Sequence, residues 1–222
     1  MCGRYTITAD GQQLAFRFGA EPPAAGVAAR YNAAPTQQLP VIVNAEPASI
    51  QLLTWGLVPA WARGKTDGSR LINARLETAA TRPSFRDAWR QRRCLVLADG
   101  FYEWQRTARG KVPMRITLKS NEPFAFAGLW DEWHGSGDAA LRTFTILTTM
   151  PNDLMSPIHT RMPVILRPEQ ETAWLDTESS QDWQRVLRPF PADLMTAYPV
   201  SSRVNSPRYD DPSLIEPLAA TE

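Results

Sequence analysis

The sequence predicts an α+β fold in which mainly antiparallel strands form a curved sheet or barrel with a few peripheral helices. Three observations predict this class. Six or seven short apolar runs of strand length follow one another, turn residues separate them at hairpin-like spacing, and only a few segments show helical periodicity. Consecutive short strands with few helices between them favour antiparallel pairing, and such a sheet can close into a barrel.

Strands are expected where β-branched, aromatic and leucine residues run between turn signals. These segments are 39–43, 49–55, 94–98, 101–105, 114–118, 124–130 and 143–148. The N-terminal residues are also strand-like, and residues 30–35 are expected to run extended because proline disfavours the α region before it.

Helices are expected where apolar residues recur three or four positions apart, as Phe85 and Trp89 do. These segments are 8–18, 84–92, 168–175 and 182–187, with a single helical turn at 151–156. No long linker, internal repeat or low-complexity stretch divides the chain. We therefore expect residues 1–222 to form a single domain.

Composition excludes several classes of protein. No apolar run approaches the roughly eighteen residues that a membrane span requires, and the N-terminus lacks a secretory pattern. With only Cys2 and Cys94, a disulfide framework is not expected, so a reducing cytoplasm is the predicted location. Together with His134 and His159 these cysteines could supply four zinc ligands, but their spacing matches no metal motif. We expect no metal, no cofactor and a monomer.

The charge distribution is uneven although the formal net charge is +1. Residues 1–110 carry 14 basic and 8 acidic side chains, whereas residues 111–222 carry 10 and 15. Residues 63–93 alone carry nine basic and three acidic side chains, and almost all of the cations are arginine. Clustered arginine is typical of nucleic-acid binding. Solvated helix faces together with a genomic preference for arginine codons explain the same pattern.

Cys2 has unusual potential chemistry. If Met1 is removed, one residue carries both a free α-amine, of pKa about 7.7–8.0, and a thiol, of pKa about 8.5. An amine adds to an aldehyde to give an imine, and a thiol on the adjacent carbon can then close a five-membered thiazolidine ring. The alternative is a small apolar residue at a frayed terminus.

Three further residues are candidates for chemistry. Glu103 shares a strand face with Phe101, and desolvation among aromatic rings would raise the pKa of its carboxyl group; an edge-strand glutamate in water is the alternative. His159 lies in a Pro-bounded loop and can act as a general acid or base. Asn73, in an apolar stretch, can orient a substrate group or simply be a buried, satisfied amide.

Two tryptophans flank a loop rich in glycine and proline. Core packing is the preferred interpretation of Trp55. Trp61 lies beside polar, glycine-rich sequence and is the better candidate for an exposed stacking surface.

Six short blocks, in this order and at comparable spacing, resemble the SRAP (SOS-response-associated peptidase) family. They are Met1-Cys2-Gly3-Arg4, Arg30-Tyr31-Asn32 with Pro35, Trp55-Gly56-Leu57, Asn73-Ala74-Arg75 with Glu77-Thr78, Gly100-Phe101-Tyr102-Glu103-Trp104, and His159-Thr160-Arg161-Met162-Pro163. The resemblance runs from Cys2 to Val200-Ser201, essentially the whole chain. Family members process abasic sites in DNA.

The resemblance implies that Cys2 traps the ring-opened aldehyde of an abasic site in single-stranded DNA as a thiazolidine cross-link that shields the lesion. Asn73, Glu103 and His159 match the other active-site positions of the family. Glu103 would serve proton transfers at the amine and thiol. His159 would protonate the sugar ring oxygen and assist reversal, and Asn73 would hold Cys2 or the sugar.

The resemblance also implies DNA contacts. Arg4 and Arg75 match phosphate-contacting positions, where bidentate guanidinium geometry suits the DNA backbone. Trp61, with Asn32 and Pro35, would cover the base next to the lesion. The protein would then associate with the nucleoid when it is bound to DNA.

One position departs from the family pattern. Pro83 and Ser84 stand where another basic DNA-contacting residue is expected, so Arg82 and Arg86 are the candidates to replace it. Arg161 is a further expected DNA-contacting residue.

Three other functions compete with this interpretation. Cys2-Gly3 also begins class II glutamine amidotransferases, in which the thiol attacks an amide and the terminal amine acts as base. A cysteine peptidase could use Cys2 and His159. A non-catalytic module for single-stranded DNA would use only the arginine and tryptophan residues.

Overall fold

The structure of the protein is a computed structural model that describes residues 2–63, 71–108, 110–135 and 140–218. The described residues include twelve β-strands and five α-helices. The strands are β1 (Tyr5–Ile7), β2 (Arg30–Ala33), β3 (Gln38–Val43), β4 (Gln51–Trp55), β5 (Asn73–Arg75), β6 (Arg93–Ala98), β7 (Gly100–Thr107), β8 (Gly110–Leu118), β9 (Phe124–Trp133), β10 (Leu141–Thr149), β11 (Met162–Pro163) and β12 (Met195–Pro199). The helices are α1 (Gly11–Phe18), α2 (Leu76–Ala79), α3 (Arg86–Gln91), α4 (Pro168–Leu175) and α5 (Trp183–Val186). None of the described helices has the length and apolar character needed to cross a membrane.

Five strands close into a barrel. β3 pairs antiparallel with β4 and with β6, β6 pairs antiparallel with β9, and β9 pairs antiparallel with β10. A parallel pairing between β10 and β4 closes the ring, and β5 and β11 add to β10 outside it. The predicted α+β class, with mainly antiparallel strands curved into a barrel and few helices, is confirmed.

A second sheet has the strand order β12-β8-β7-β1-β2, and aromatic side chains join it to the barrel. Tyr5 of β1 packs against Trp55 of β4 with ring centroids 5.2 Å apart, and Phe101 of β7 packs edge-on against Phe126 of β9 at 6.0 Å. All four rings are fully buried. Each such pair contributes about 0.5–1.5 kcal/mol beyond the burial of its area. The packing fixes β1 and β7 on the barrel and confirms the predicted core position of Trp55.

Most buried apolar residues of the two sheets form one contiguous core that includes Cys2, Cys94 and Met195. The prediction that Cys94 is a core residue is confirmed, since its side chain is fully buried. The single domain predicted for residues 1–222 stays a prediction, which the continuity of this core supports.

The sequence patterns miss strands in three regions. β5, β11 and β12 lie outside the predicted segments, because two to five residues give too short a window for apolar alternation. These strands pair through main-chain N–H and C=O groups, which every residue except proline has. Such pairing therefore leaves no pattern of side chains in the sequence. The helix expected over 8–18 begins only at Gly11, because the Asp10 side chain accepts hydrogen bonds from the main-chain N–H groups of Gln12 and Gln13 and caps it there.

Residues 200–218, which we call the C-terminal segment, pack across β2 and β7. Val200, Val204 and Leu214 surround Tyr102 in a second, smaller apolar cluster. The Tyr102 hydroxyl donates a hydrogen bond to the main-chain oxygen of Tyr31 at 2.7 Å. Because side chains alternate along a strand, Tyr102 points away from the barrel, and the C-terminal segment covers that outer face of the sheet.

A buried ion pair holds the end of β1. Asp99 accepts hydrogen bonds from Thr6 Oγ1 at 2.5 Å, from Thr8 Oγ1 at 2.7 Å and from the main-chain N–H of Thr8, and Arg115 Nη2 lies 3.5 Å from Asp99 Oδ1. Glycine is needed at position 100, because a Cβ atom on Gly100 would approach Thr6 Oγ1 to 2.8 Å. The cluster thereby ties β1 to β7 and β8.

We predict that Asp99→Ala lowers the free energy of unfolding by about 3–5 kcal/mol, because it leaves the Arg115 guanidinium buried without its carboxylate. Urea denaturation followed by circular dichroism measures this change. The control is Asp153→Ala, an exposed position where we expect a change within about 0.5 kcal/mol. A loss below about 1 kcal/mol for Asp99→Ala would contradict the assignment.

Candidate active site

Pairing between β1 and β7 determines where Cys2 lies. Tyr5 pairs with Phe101, and the main-chain N–H of Tyr102 donates to the main-chain oxygen of Arg4 at 3.0 Å, so the ladder continues beyond β1 toward the N-terminus. Cys2 is fully buried, and its thiol donates a 3.6 Å hydrogen bond to the same Arg4 oxygen. Residue 2 is thus an ordered part of the core.

Asn73 contacts Cys2 directly. It is the first residue of β5, which pairs parallel with β10 at Ile146. Its Nδ2 atom donates a hydrogen bond to the main-chain oxygen of Cys2 at 2.8 Å. Its Oδ1 atom is buried and accepts no hydrogen bond from any described residue. Buried acceptors are almost always paired, so Oδ1 is available to a group that joins the site.

Glu103 lies on the barrel side of β7. Its side chain is buried, with only 2% of its surface exposed, as is that of Phe101 two residues earlier on the same face. Tyr102 and Trp104 point the other way and belong to the outer apolar cluster. Of the two alternatives that the sequence leaves open for Glu103, the structure shows burial on the face shared with Phe101.

His159 reaches Glu103 from a loop between β10 and β11. Its Nδ1 atom lies 4.0 Å from Glu103 Oε1, and the ring is about one quarter exposed, at 28%. Gln105 Nε2 donates to the main-chain oxygen of Pro157 at 3.4 Å, which ties this loop to β7. Four predicted site residues from four separate segments therefore converge, because Cys2 contacts Asn73 and Glu103 interacts with both Cys2 and His159.

The Cys2 thiol is electrostatically unusual. Burial raises the pKa of the thiol far above its ordinary value, and the nearby Glu103 carboxylate raises it further. The thiol therefore stays protonated at neutral pH. Cysteines that act as thiolates instead have a lowered pKa in positively charged surroundings.

Most residues expected to contact DNA lie on the surface. Arg75 ends β5, two residues after Asn73, and its side chain is exposed. Trp61 is 62% exposed, as expected for a stacking residue. Pro35 is half-buried. Two further arginines are exposed where α2 leads into α3; they are Arg82 and Arg86.

Asn32 does not present its side chain to the surface, contrary to the expectation that it covers a base. It is fully buried, and its Nδ2 atom donates to main-chain oxygens of the C-terminal segment, including that of Tyr209 at 2.8 Å. Its Oδ1 atom accepts a 2.8 Å hydrogen bond from Arg4 Nη1, which also donates to the Val204 oxygen at 2.7 Å. Asn32 therefore orients Arg4 and anchors the C-terminal segment.

Arg161 also has internal partners. Its Nη1 and Nη2 atoms donate to Glu77 Oε1 and Oε2 at 2.7 and 2.8 Å, and Nη2 donates to the main-chain oxygen of Thr148 at 2.5 Å. The hydrogen bond from Arg161 lowers the pKa of Glu77 below its ordinary value. Only 14% of the Arg161 side chain is exposed, so this residue joins α2, β10 and the His159 loop.

Sequence reasoning assigned no role to the residues that support the site. Glu77 lies in the same sequence block as Asn73, and this proximity is the one sequence feature that links Glu77 to the site. Gln105 follows Glu103 by two positions, so strand alternation places both on one face. Nothing in the sequence marks Thr148, whose contribution is a main-chain oxygen.

In the described part of the basic stretch 63–93, not every arginine side chain faces solvent. Arg92 Nε lies 3.0 Å from Asp131 Oδ1, and the buried Arg93 guanidinium lies 5.0 Å from the centre of the Trp174 ring. Lys65 and Arg70 lie outside the described residues. The exposed arginines of this stretch are therefore fewer than its composition indicates. Within the part of the sequence that is described, no three His, Cys, Asp or Glu side chains are grouped as a metal site requires.

The protein resembles known sequences and structures along its whole length. Residues 1–207 match the family described as SOS response associated peptidase (SRAP). The abasic site processing protein YoqW of Bacillus subtilis (strain 168) is 44% identical over 222 residues, which cover 97% of this chain and 99% of that protein. The abasic site processing protein YedK of Escherichia coli (strain K12) is 32% identical over 193 residues, which cover 85% of each protein. A crystal structure of a protein from Bacteroides thetaiotaomicron has a TM-score of 0.90 and 28% identity, covering 98% of this chain and 100% of that one. The chain belongs to the SRAP family.

Proposed function

We propose that this protein processes abasic sites in single-stranded DNA by forming a covalent thiazolidine cross-link through Cys2, after removal of Met1. The observation that carries the proposal is a connected set of residues at a buried Cys2: Asn73 bonds its main-chain oxygen, Glu103 acts on its thiol, and His159 lies 4.0 Å from Glu103. Relatives that match nearly the whole chain are named abasic site processing proteins, which supports the same substrate class.

The chemistry proceeds in two bond-forming steps. The neutral α-amine of Cys2 attacks the C1′ aldehyde of the opened sugar, and water leaves to give an imine. The thiol sulfur then adds to the imine carbon, while the thiol proton ends on the ring nitrogen. One water is lost overall, and no oxidant or cofactor is required. Bound DNA would hold the aldehyde beside both nucleophiles, which gives a high effective molarity for each step.

Proton transfer is the task that we assign to Glu103. Because burial keeps the Cys2 thiol protonated, the sulfur needs a base at the moment it attacks. The carboxylate that interacts with the thiol is Glu103, and it can pass the proton to the nitrogen. Glu103 can also take the first proton from the α-ammonium group, which makes the amine a nucleophile.

Asn73 would position the reactants. Its Nδ2 atom holds the main-chain oxygen of Cys2, and its buried Oδ1 atom accepts no hydrogen bond from any described residue. This acceptor can bind the α-ammonium group or a sugar hydroxyl. The opened sugar carries hydroxyl groups that can donate to Asn73 Oδ1. This bond would satisfy a buried acceptor that is costly to leave unpaired.

Recognition of DNA would rest on phosphates and stacking, since an abasic site offers no base edge. Arg75 is exposed two residues after Asn73, so its guanidinium can bind a phosphate. Arg4, whose guanidinium is held by Asn32 and by the main-chain oxygen of Val204, is a second candidate for a phosphate contact. Trp61 offers an exposed ring for stacking, a contact that tolerates any base. Arg82 and Arg86 extend the exposed positive charge.

The raised pKa of the Cys2 thiol disfavours the cysteine peptidase alternative, whose nucleophile is a thiolate activated by histidine. An amidotransferase would likewise attack with sulfur first. A protonated, buried thiol next to a carboxylate is consistent with a reaction in which the amine first forms the imine and the thiol then closes the ring. We further infer that the protein acts as a cytoplasmic monomer that joins the nucleoid through DNA.

We predict that Cys2→Ser abolishes the heat-stable cross-link to an abasic single-stranded oligonucleotide and leaves at most an imine that borohydride reduces. The serine keeps the α-amine but lacks the sulfur that closes the stable ring. Denaturing gels run with and without borohydride measure both products. A full-strength stable adduct from Cys2→Ser would show that the thiol closes no ring.

Glu103→Gln should slow cross-linking by about 100-fold, because an amide cannot accept the proton of the amine or the thiol. Single-turnover cross-linking under saturating DNA measures the rate, and circular dichroism verifies the fold. Glu122→Gln removes an exposed carboxylate and should leave the rate unchanged. Equal rates for the two variants would argue against a role for Glu103 in proton transfer.

Arg75→Ala should weaken binding to single-stranded DNA and reduce the slope of log affinity against log salt by about 0.7, the value for one phosphate contact. Fluorescence anisotropy at several salt concentrations measures the slope. Arg185→Ala, on α5 with a side chain that is 86% exposed, is the matched control and should leave the slope unchanged. Identical slopes for both variants would place the phosphate contact elsewhere.

A further inference from the structure

The imidazole of His159 lies against both polar main-chain groups of Arg161. The distance from His159 Nδ1 to the Arg161 nitrogen is 3.0 Å, and the distance to the Arg161 oxygen is 3.1 Å. A peptide N–H group only donates and a peptide carbonyl group only accepts, whereas one ring nitrogen cannot do both at once. Nδ1 without a proton therefore bonds the N–H group, and Nδ1 with a proton bonds the carbonyl oxygen.

The contacts at Nδ1 are compatible with either tautomer of His159. A functional histidine is ordinarily fixed in one tautomer, because the partner of one ring nitrogen decides which nitrogen carries the proton. Here both neutral tautomers keep a hydrogen bond of nearly equal length in one ring orientation. The ring can gain or lose a proton at Nδ1 without rotating, and Nε2 changes between donor and acceptor in response.

The side chain of Arg161 holds these main-chain groups in place. The two hydrogen bonds to Glu77 and the one to the Thr148 oxygen attach residue 161 to α2 and to β10. Gln184 in turn donates to the main-chain oxygen of Glu77 at 3.1 Å. The residue that touches the ring is thereby fixed to two secondary-structure elements.

We propose that Arg161 is a positioning residue for His159, and that its peptide N–H and carbonyl groups let the ring relay a proton between Glu103 at Nδ1 and the substrate at Nε2. The proposal rests on the abasic-site reaction proposed above. It gives Arg161 a task different from the phosphate contact that the family resemblance implied. The distance from Nδ1 to Glu103 Oε1 is 4.0 Å, about 1 Å beyond a hydrogen bond, so a small side-chain movement or one bridging water completes the path.

The proton count of the relay balances. Glu103 takes a proton from the α-ammonium group of Cys2 and passes it to Nδ1 of His159. The proton on Nε2 then moves to the sugar ring oxygen as the C1′–O4′ bond breaks, while the C1′ hydroxyl loses its proton to water. The ring is neutral before the first transfer and neutral again after the second, and it ends as the other tautomer, bonded to the Arg161 oxygen.

The tautomers can be measured directly and without DNA. His134 and His159 are the only histidines, so His134→Gln leaves one imidazole, and the exposed His134 has no assigned role. In ¹⁵N-labelled protein at a pH where the ring is neutral, both ring nitrogens should show shifts between those of protonated and unprotonated nitrogen. A single fixed tautomer would overturn the relay, whatever the fate of the proposed function.

Glu77→Gln tests the positioning role of Arg161. The substitution weakens the hydrogen bonds that hold the Arg161 side chain. Because it removes a negative charge, it does not oppose the binding of phosphate groups. We expect the cross-linking rate at saturating DNA to fall on the order of tenfold, because small displacements of a catalytic group are costly. DNA affinity should be equal or higher, and the two ring shifts of His159 should move toward one tautomer. Glu169→Gln, an exposed glutamate on α4, is the control and should change none of these. An unchanged rate with unchanged ring shifts would overturn the proposal.

Discussion

The antiparallel pairing of β1 with β7 is the constraint on which the site depends. The hydrogen bond from the Tyr102 N–H to the Arg4 oxygen extends the ladder past Tyr5, so the residues before β1 lie beside Glu103. An N-terminal residue would otherwise fray, and its amine and thiol would have no fixed surroundings. The Asp99 cluster at the other end of β1 and the Tyr5–Trp55 contact beneath it hold the same strand.

Each remaining site residue comes from a different element. β5 supplies Asn73 through a short parallel pairing with β10, and β7 supplies Glu103 on its buried face. A loop supplies His159, and that loop is held by Arg161 and Gln105. Strands give the nucleophile and the carboxylate fixed positions, while the histidine is fixed by side-chain hydrogen bonds. Such alignment matters because the thiol stays protonated until sulfur attacks, so a base must be in position to take its proton at that moment.

The sequence predicts much of this arrangement, and the rest has physical reasons to be hidden. The apolar runs identify most strands of the barrel, and alternation along 101–105 places Glu103 on the face of Phe101 but leaves its burial undecided. Parallel closure of β10 on β4 is a long-range pairing that no local pattern encodes. Asn32 and Arg161 resemble surface ligands in sequence, because a polar residue gives no sign of an internal partner. Their partners are main-chain oxygens and Glu77, which only the fold brings close.

Mass spectrometry of the N-terminal peptide after cross-linking, combined with thiol alkylation, is the decisive measurement for the role of Cys2. A thiazolidine and an imine have the same mass, since each loses one water, but only the imine leaves a thiol that alkylates. We predict an adduct on Cys2 at the combined mass less one water, with its α-amine released from Met1 and its thiol unreactive after denaturation. An adduct on another residue, or one on Cys2 whose thiol still alkylates, would contradict the cross-linking chemistry proposed for this site.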